Sequence, residues 1–480
     1  MLFQRPVVLP LKRGRLQRGC GTDVSGTINM QFYSTNRKSP LVSFQDALLQ
    51  GQPPDRGLFM PAQIPEILAN EYEVLASLSY PDLAYELSTR WIGDEVAETA
   101  LRAVCHDAYT WPVPLMPITD TLSVLELWHG PTLSFKDFAA QWLGRMVSAL
   151  MKPGTTLTVL VATSGDTGSA VAAGFSHLPG IRVVLLYPSG KVSALQEQQL
   201  TTFGGNVQAL EVMGTFDDCQ RMVKEAFADT ALRAKIALTS ANSINIGRLI
   251  PQSFYYVRAY LQMARTLKAN GSPLAFCVPS GNFGNLTGGL LGARMGIPVA
   301  KFIAAVNANA VMPDFLRTGV LHTRPSVQTL SNAMDVGNPS NIARIFDLYA
   351  IDKTLPASDR NIDQRKFAKD MWSVSIDDRI TLETIQRVYK EHRYIMDPHT
   401  AVGWRALELW RETEEGRRFQ GHTVLVSTAH PAKFMDTIEQ VLPPAAVAMP
   451  PSLQDALQRQ KQATQIPAEY NKLKEILLSK

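Results

Sequence analysis

The sequence predicts an α/β protein built on mainly parallel sheets with helices on both faces. Short apolar segments alternate with amphipathic segments from about residue 155 onward. Strands that are joined by helical crossovers pair in parallel, and they need cover on both faces. A chain of 480 residues also exceeds what one hydrophobic core usually organises, so we expect more than one lobe.

The elements of this fold can be placed along the chain in order. The predicted strands are residues 157–162, 182–187, 207–213, 275–278 and 423–427. The first four are followed by helical segments, which contain SAVAAGFSHL, VSALQEQQLTTF, FDDCQRMVKEAFAD and LTGGLLGARMG. Three strands end in loops rich in small polar residues, which contain SGDTGS, PSGNFGN and TAHPAK. Ligands bind beyond the carboxyl ends of such strands, so these loops are where we expect the chemistry.

The chain divides into four predicted parts. Residues 1–29 form a basic extension that we expect to be disordered, and residues 30–115 form a separate, mostly helical N-terminal region with proline-containing turns such as GQPPDRG. The α/β catalytic core, in two lobes, is expected over residues 116–440. Residues 441–480 read as a proline-punctuated linker followed by a charged helix.

Composition and charge exclude several classes of protein. Residues 1–29 carry five basic residues against Asp23, which accounts for the whole net charge of +4 and leaves residues 30–480 neutral. A neutral body without a basic stripe argues against nucleic acid as a partner. No apolar run approaches the roughly 20 residues that cross a bilayer, so no membrane segment is predicted. The 4 cysteines are scattered without metal-ligand spacing, which favours a reducing cytoplasm and no metal site.

Lys136 is the first candidate for chemistry. It lies between two phenylalanines near the start of a segment whose apolar residues follow helical spacing, ELWHGPTLSFKDFAAQWLGRMV. A lysine in this position can simply extend past the core to solvent. It can also be a partly desolvated amine that bonds covalently to a carbonyl compound. The residue alone does not decide between these two interpretations.

Two glycine-rich loops are candidates for anion binding. Residues 279–285, PSGNFGN, allow several backbone N–H groups to converge, and the helix that follows adds a favourable dipole. Residues 164–169, SGDTGS, have the same form and could hold a second anion such as a carboxylate. Both loops could instead be tight turns whose polar side chains cap the next helix.

Several long motifs together point to one family. In chain order they are HGPTLSFKDFA, ATSGDTGSA, SANSINIGRLIPQ, PSGNFGNLTGG, LSNAMDVGNPSN and STAHPAKF. Over roughly residues 30–440 the chain resembles the threonine synthases, which belong to the tryptophan synthase β-like branch of pyridoxal-phosphate enzymes. The resemblance implies that fold, pyridoxal 5'-phosphate as cofactor, and conversion of O-phospho-L-homoserine and water to L-threonine and phosphate. A monomer is the expected state.

The resemblance assigns cofactor roles residue by residue. Lys136 matches the lysine that holds the cofactor covalently, and Thr428 matches the hydroxyl residue near the pyridine nitrogen. The loop that matches the cofactor phosphate site consists of Gly281, Asn282, Phe283, Gly284 and Asn285.

The resemblance also suggests two sets of substrate contacts. Ser164, Asp166 and Thr167 are the candidates for the amino-acid end of the substrate. Asp166 would repel a carboxylate unless its own charge is paired, so backbone N–H groups are expected to do most of that binding. Arg248, with Ser243 and Asn245, is the candidate for the leaving phosphate, because a guanidinium fork suits a phosphoryl dianion.

Three other functions compete with this interpretation. A related lyase acting on another phosphorylated amino acid would share the cofactor and Lys136. A nicotinamide-dependent dehydrogenase would need GxGxxG after the first strand, and the sequence lacks it there. A catalytically inactive paralogue is disfavoured because Lys136 and all three polar loops are present.

Overall fold

The computed structural model describes residues 30–356, 361–444 and 446–479. The predicted basic extension, residues 1–29, therefore lies outside the described residues. None of the helices in these ranges is both long enough and apolar enough to span a lipid bilayer.

The strands and helices alternate along most of the chain. The strands are β1 Gln31–Ser34, β2 Val42–Ser43, β3 Phe59–Pro61, β4 Leu115–Thr119, β5 Leu122–Glu126, β6 Leu157–Ala162, β7 Ile181–Pro188, β8 Val207–Met213, β9 Leu238–Thr239, β10 Leu274–Pro279, β11 Val299–Val306, β12 Met371–Ser375, β13 His422–Ser427 and β14 Ala463–Pro467. The helices are α1 Phe44–Gln50, α2 Tyr72–Ser77, α3 Tyr80–Ile92, α4 Glu98–Ala108, α5 Lys136–Leu150, α6 Asp166–Phe175, α7 Ala194–Thr201, α8 Phe216–Ala228, α9 Thr230–Arg233, α10 Ile250–Asn270, α11 Gly284–Arg294, α12 Val311–Thr318, α13 Ile342–Tyr349, α14 Gln364–Asp370, α15 Asp378–His392, α16 Pro398–Glu412, α17 Glu414–Arg418, α18 Met435–Ile438, α19 Pro451–Gln458 and α20 Tyr470–Leu478.

Two large sheets define the two lobes. One has the strand order β12-β11-β10-β13-β5-β4 and is parallel except for β4, which pairs antiparallel with β5. The other has the order β14-β8-β7-β6-β9 and is parallel throughout. The predicted α/β class is confirmed, and every strand predicted from the sequence lies within an observed strand.

The N-terminal region is mostly helical, as predicted, but it also contains a small antiparallel sheet that was not predicted. β1 pairs with both β2 and β3, and the buried rings of Phe32 and Phe59 anchor this sheet in the core. These strands have two to four residues each, which is too short for alternation of apolar and polar residues to stand out.

The C-terminal tail contributes a strand as well as helices. β14 adds to the open edge of β8, with Ile466 buried beneath it. Arg182 then fastens the end of α20, donating to the carbonyl oxygens of Ile476 and Leu477 at 2.9 and 3.3 Å. The sequence analysis anticipated a linker and a helix here. The strand ATQIP carries a single buried apolar residue and so gave no strand signal.

Helices α5 and α6 pack backbone to backbone. A Cβ on Gly144 would lie 2.2 Å from the carbonyl oxygen of Gly174, so both positions need glycine. This close packing brings the start of α5 next to the carboxyl ends of β6, β10 and β13. The polar loops predicted from the sequence therefore face one another across a single cleft.

Candidate active site

A cavity of about 290 Å³ occupies this cleft. Of the residues predicted from the sequence, its wall contains Lys136, Ser164, Asp166, Thr167, Ser243, Arg248, Gly281, Asn282, Phe283, Gly284, Asn285 and Thr428. The structure thus brings together side chains that lie up to about 290 residues apart in the chain, and these residues come from both lobes. Asn245 is the one predicted residue that the described wall does not include.

Lys136 is the first residue of α5, and its side chain is 12 % exposed. The loop before it is fixed to the end of β13, because the N–H of Phe135 donates to the carbonyl of Thr428 at 2.9 Å. Burial lowers the pKa of the Lys136 ammonium, and Asp166 partly opposes this. Lys433 and Arg248 lower the pKa further. A lowered pKa increases the share of neutral, nucleophilic amine, which favours the covalent interpretation of this lysine.

The 279–285 loop is shaped to hold an anion. Phe283 adopts a left-handed backbone conformation (φ 56°) and starts α11, whose N-terminus faces the cavity. The hydroxyls of Tyr255 and Tyr256 donate to Oδ1 of Asn285 at 2.6 and 2.8 Å. This arrangement leaves Nδ2 of Asn285, a residue of the cavity wall, as a buried donor that has no hydrogen-bond partner within the described ranges.

The side chain of Asn282 has a different role from that of Asn285. Its Nδ2 donates to Oγ of Ser243 at 2.7 Å, and its Oδ1 accepts from the N–H of Ser340 at 2.7 Å. Asn341 donates to the same Ser243 hydroxyl at 3.0 Å. The Asn282 side chain therefore ties the anion loop to the neighbouring wall, and any contact with a phosphate falls to its backbone.

The 163–168 loop presents backbone N–H groups and a neutralised carboxylate. Oγ1 of Thr163 accepts from the N–H groups of Gly165 and Gly168 at 3.0 and 2.7 Å, which fixes the turn. Asp166 is buried, and its Oδ1 lies 2.7 Å from Nζ of Lys433. Burial would raise the pKa of Asp166, but the ammonium groups of Lys433 and Lys136 outweigh it and hold the pKa well below its usual range.

Lys433 was not singled out by the sequence analysis. It lies in a short 3₁₀ helix, Pro431–Phe434, with a side chain that is 0 % exposed. The available signal was a lysine inside the apolar run AHPAKF, because a lysine is almost never fully buried unless it is paired.

Arg248 also lines the cavity and is 2 % exposed. Its Nη1 donates to the carbonyl of Ala241 at 2.6 Å, while its buried Nε has no partner among the described residues. No carboxylate in the described part of the chain forms an ion pair with it. Burial lowers its pKa to about 10 against the opposing effect of Tyr255 and Asp137, so the guanidinium stays charged and short of acceptors at neutral pH.

Asn245, predicted to contact the substrate phosphate, supports the wall from behind instead. Its Nδ2 donates to the carbonyls of Leu48 and Ser240 at 2.9 Å each, and its Oδ1 accepts from the N–H of Gly247 at 2.9 Å. All of its polar atoms are engaged with the protein, which leaves none for a ligand.

Thr428 and His399 also belong to the wall of the cavity. Nδ1 of His399 lies 2.6 Å from Oδ2 of Asp397, and its Nε2 accepts from the N–H of Ala333 at 3.2 Å. These contacts hold the imidazole ring in place between Asp397 and Ala333. His399 was not predicted, although the preceding Asp397 caps α16 in a recognisable way.

Comparisons with known proteins agree on what this fold and site are. The family described as "Pyridoxal-phosphate dependent enzyme" matches residues 119–428, "Threonine synthase N terminus" matches residues 31–109, and "Threonine synthase, C-terminal" matches residues 400–477. The threonine synthase of Escherichia coli (strain K12) is 37 % identical over 94 % of this chain and 100 % of its own length. That of Serratia marcescens is 38 % identical over 94 % of this chain and 99 % of its own.

Solved structures give the same result. The crystal structure of threonine synthase from Escherichia coli superposes with a TM-score of 0.83 at 36 % identity, covering 94 % of this chain and 99 % of that one. A pyridoxal-phosphate-bound threonine synthase from Brucella melitensis gives a TM-score of 0.84 at 31 % identity, covering 93 % and 98 %. Fold and site thus define a pyridoxal-phosphate-dependent enzyme. The chain belongs to the threonine synthase family, which confirms the resemblance seen in the sequence.

The residues of the cavity fit that cofactor. The unpartnered Nδ2 of Asn285 at the N-terminus of α11 suits a phosphate ester. In the same cavity, Lys136 offers an amine for the aldehyde, and Thr428 offers a neutral hydroxyl.

Proposed function

We propose that this protein converts O-phospho-L-homoserine and water into L-threonine and phosphate. The observation that carries the proposal is that one cavity joins the Lys136 amine to two separate sets of anion donors. One set is the 281–285 loop at the start of α11, and the other is the guanidinium of Arg248. A cofactor phosphate and a substrate phosphate account for both sets.

The cofactor would be held by residues on three sides. Lys136 would bind it covalently, the 281–285 loop would bind its phosphate, and the Thr428 hydroxyl would face its ring nitrogen. When bound, pyridoxal phosphate supplies an electron sink for negative charge that develops next to the substrate amine. A neutral hydroxyl at position 428 tempers this sink, since a carboxylate there would keep the nitrogen protonated.

The substrate would be held by its two charged ends. The backbone N–H groups of the 164–167 loop bind the carboxylate, and they can do so because Lys433 neutralises Asp166. The Arg248 fork and the Ser243 hydroxyl bind the phosphate, and they stabilise it as it leaves from Cγ.

Lys136 has a second task once the substrate amine has taken its place. Its amine moves the proton at Cα, and its lowered pKa suits that task near neutral pH. The buried walls around it limit how much water reaches the site, so that water adds at Cβ once.

An absorbance spectrum combined with product assays tests this proposal. The purified protein with pyridoxal phosphate should show a visible band that shifts when O-phospho-L-homoserine is added, with equal release of phosphate and threonine. Lys136→Ala should lose the lysine-bound band and lower turnover by about 10⁴-fold, the upper range for a general acid–base residue.

Two other outcomes would separate the alternatives. A visible band without formation of threonine would indicate a related lyase acting on another phosphorylated amino acid. The absence of any band, with cofactor supplied, would indicate an inactive paralogue.

Oligomeric state, cellular location and domain boundaries are proposed as the sequence predicts them. We propose that the protein is a monomer, that it works in the cytoplasm, and that its domain boundaries lie after residues 29, 115 and 440. The cysteines of the described ranges, Cys105, Cys219 and Cys277, are buried and free of disulfides, which suits a reducing compartment.

A further inference from the structure

Lys433 is a fully buried lysine next to the active site that the mechanism above does not use directly. Its Nζ lies 2.7 Å from Oδ1 of Asp166 and donates to the carbonyl of Thr132 at 3.0 Å. Among the described residues it does not line the cavity, so it touches neither substrate nor cofactor. Any effect of Lys433 on catalysis must therefore act through its contact with Asp166 or through its charge.

Asp166 lies between two lysines. Its Oδ2 is 3.5 Å from Nζ of Lys136, while its Oδ1 takes the shorter contact to Lys433 and a hydrogen bond of 3.0 Å from Nε2 of Gln196. Gln196 is itself buried and held by Asn332, whose Nδ2 donates to its Oε1 at 3.2 Å. The stronger contacts of the carboxylate therefore all lie on the side away from Lys136.

We propose that Lys433 is a positioning residue that neutralises Asp166, so that Lys136 is not locked in an ion pair and its amine is free to bond to pyridoxal phosphate. In that step, Nζ of Lys136 forms a double bond to the aldehyde carbon. The aldehyde oxygen leaves as water with the two amine hydrogens, so nothing is oxidised or reduced. The inference rests on the proposed role of Lys136.

The charges around Lys136 support this arrangement. The titratable groups that line the cavity with it are Asp166, Lys224, Arg248, Asp335 and His399, and Lys433 lies behind Asp166. Burial and the cations Lys433 and Arg248 lower the pKa of Lys136, and Asp166 raises it. Removing Lys433 and removing Asp166 should therefore shift the titration of Lys136 in opposite directions, which a purely structural ion pair would not do.

The test measures the rate at which cofactor-free, full-length protein binds pyridoxal phosphate, followed by visible absorbance from pH 6 to pH 10. Lys433→Met should move the rate profile to higher pH and slow binding at pH 7 by about tenfold, the effect of one nearby charge. Asp166→Asn should move the profile to lower pH. Lys433→Arg should keep the wild-type profile, and the double variant Lys433→Met/Asp166→Asn should lie close to it.

Lys301 provides a matched control. It is also a buried lysine, its Nζ lies 2.7 Å from Oε1 of Glu415 and donates to the carbonyl of Ala368 at 3.2 Å, and in the described structure it is not part of the cavity wall. Lys301→Met should lose stability as Lys433→Met does, yet leave the pH profile of cofactor binding unchanged.

Two results would contradict these proposals, one the role of Lys433 and the other the proposed function. If Lys433→Met unfolds more easily but binds the cofactor with the wild-type pH profile, Lys433 is structural and the inference is overturned. If wild-type protein forms no band that depends on Lys136, the proposed function itself fails.

Discussion

Two buried arginines, Arg248 and Arg344, donate to carbonyls of the 241–244 segment but differ in how many of their donors have partners. Arg344 donates to the carbonyls of Phe59, Ser243 and Ile244 at 3.1, 2.7 and 2.6 Å and also to Oδ1 of Asn341 at 2.8 Å. Arg248 donates to one carbonyl, that of Ala241, and its Nε has no partner within the described ranges.

This difference distinguishes Arg344, whose role is structural, from Arg248, which we expect to bind a ligand. Burial lowers the pKa of both, to about 9 for Arg344 and about 10 for Arg248, so both carry the cost of desolvation. In Arg344 the surrounding carbonyls offset that cost. In Arg248 they do not, and the residue lines the cavity, where an anionic ligand can offset that cost. A poorly satisfied buried cation therefore marks the place where we expect the substrate phosphate.

The largest effect should come from Arg248→Met. We expect kcat/KM for O-phospho-L-homoserine to fall by about 10³-fold, because a donor that stabilises developing charge is lost. The visible band of the bound cofactor should still form, since this residue is not part of the 281–285 loop. Steady-state phosphate release and a visible spectrum of the variant measure both quantities.

The stability of the same variant sharpens the comparison. Because Arg248 is buried and short of partners, Arg248→Met should not lower the urea midpoint of the cofactor-free protein. Arg248→Lys keeps the charge but not the guanidinium fork, so its activity should fall between that of the wild-type protein and that of Arg248→Met. A variant that keeps wild-type kcat/KM would remove Arg248 from the phosphate site.

The next largest effect should come from Arg344→Met, and on stability rather than catalysis. Losing four charged hydrogen bonds, one to the N-terminal region, two to the 243–244 segment and one to Asn341, should lower the free energy of unfolding by about 3 kcal/mol. Urea unfolding followed by circular dichroism measures it. If this variant were as stable as wild type but lost activity as Arg248→Met does, the two arginines would not differ in the way their contacts indicate.

The sequence predicted those parts of the fold whose local pattern agrees with the tertiary structure. β6 and β8 are apolar runs between polar turns, and the predicted bounds match the observed ones. β14 could not be predicted, because its pairing depends on the open edge of β8 and on Arg182 far away in the chain. Local pattern carries no information about such a partner.

The active-site residues were likewise predicted only where a local motif marks them. Motifs located Lys136 and the polar loops, but they could not show which polar atoms the protein itself would use. Asn245 lies in a site motif, yet its side chain is fully engaged by Leu48, Ser240 and Gly247. Lys433 lies outside the predicted set because its importance depends on a carboxylate from the other lobe.

The smallest of these effects concerns two asparagines of the anion loop, which repeat the contrast between the arginines. Asn285 has a buried donor without a partner, whereas both polar atoms of the Asn282 side chain are hydrogen-bonded, to Ser243 and to Ser340. Asn285→Ala should weaken pyridoxal phosphate binding by about tenfold or somewhat more, the value of one hydrogen bond to a charged group. Equilibrium titration of cofactor-free protein, followed by absorbance, measures this affinity.

Asn282→Ala is the matched control, since it removes the same side chain from the same loop. It should lower the midpoint of thermal unfolding while changing cofactor affinity less than Asn285→Ala does. The reason is that the side-chain amide of Asn282 is already hydrogen-bonded to Ser243 and Ser340. Equal losses of affinity in the two variants would mean that the side-chain donor of Asn285 is not what holds the phosphate. The binding would then belong to the backbone N–H groups of the loop and the dipole of α11, which both variants leave in place.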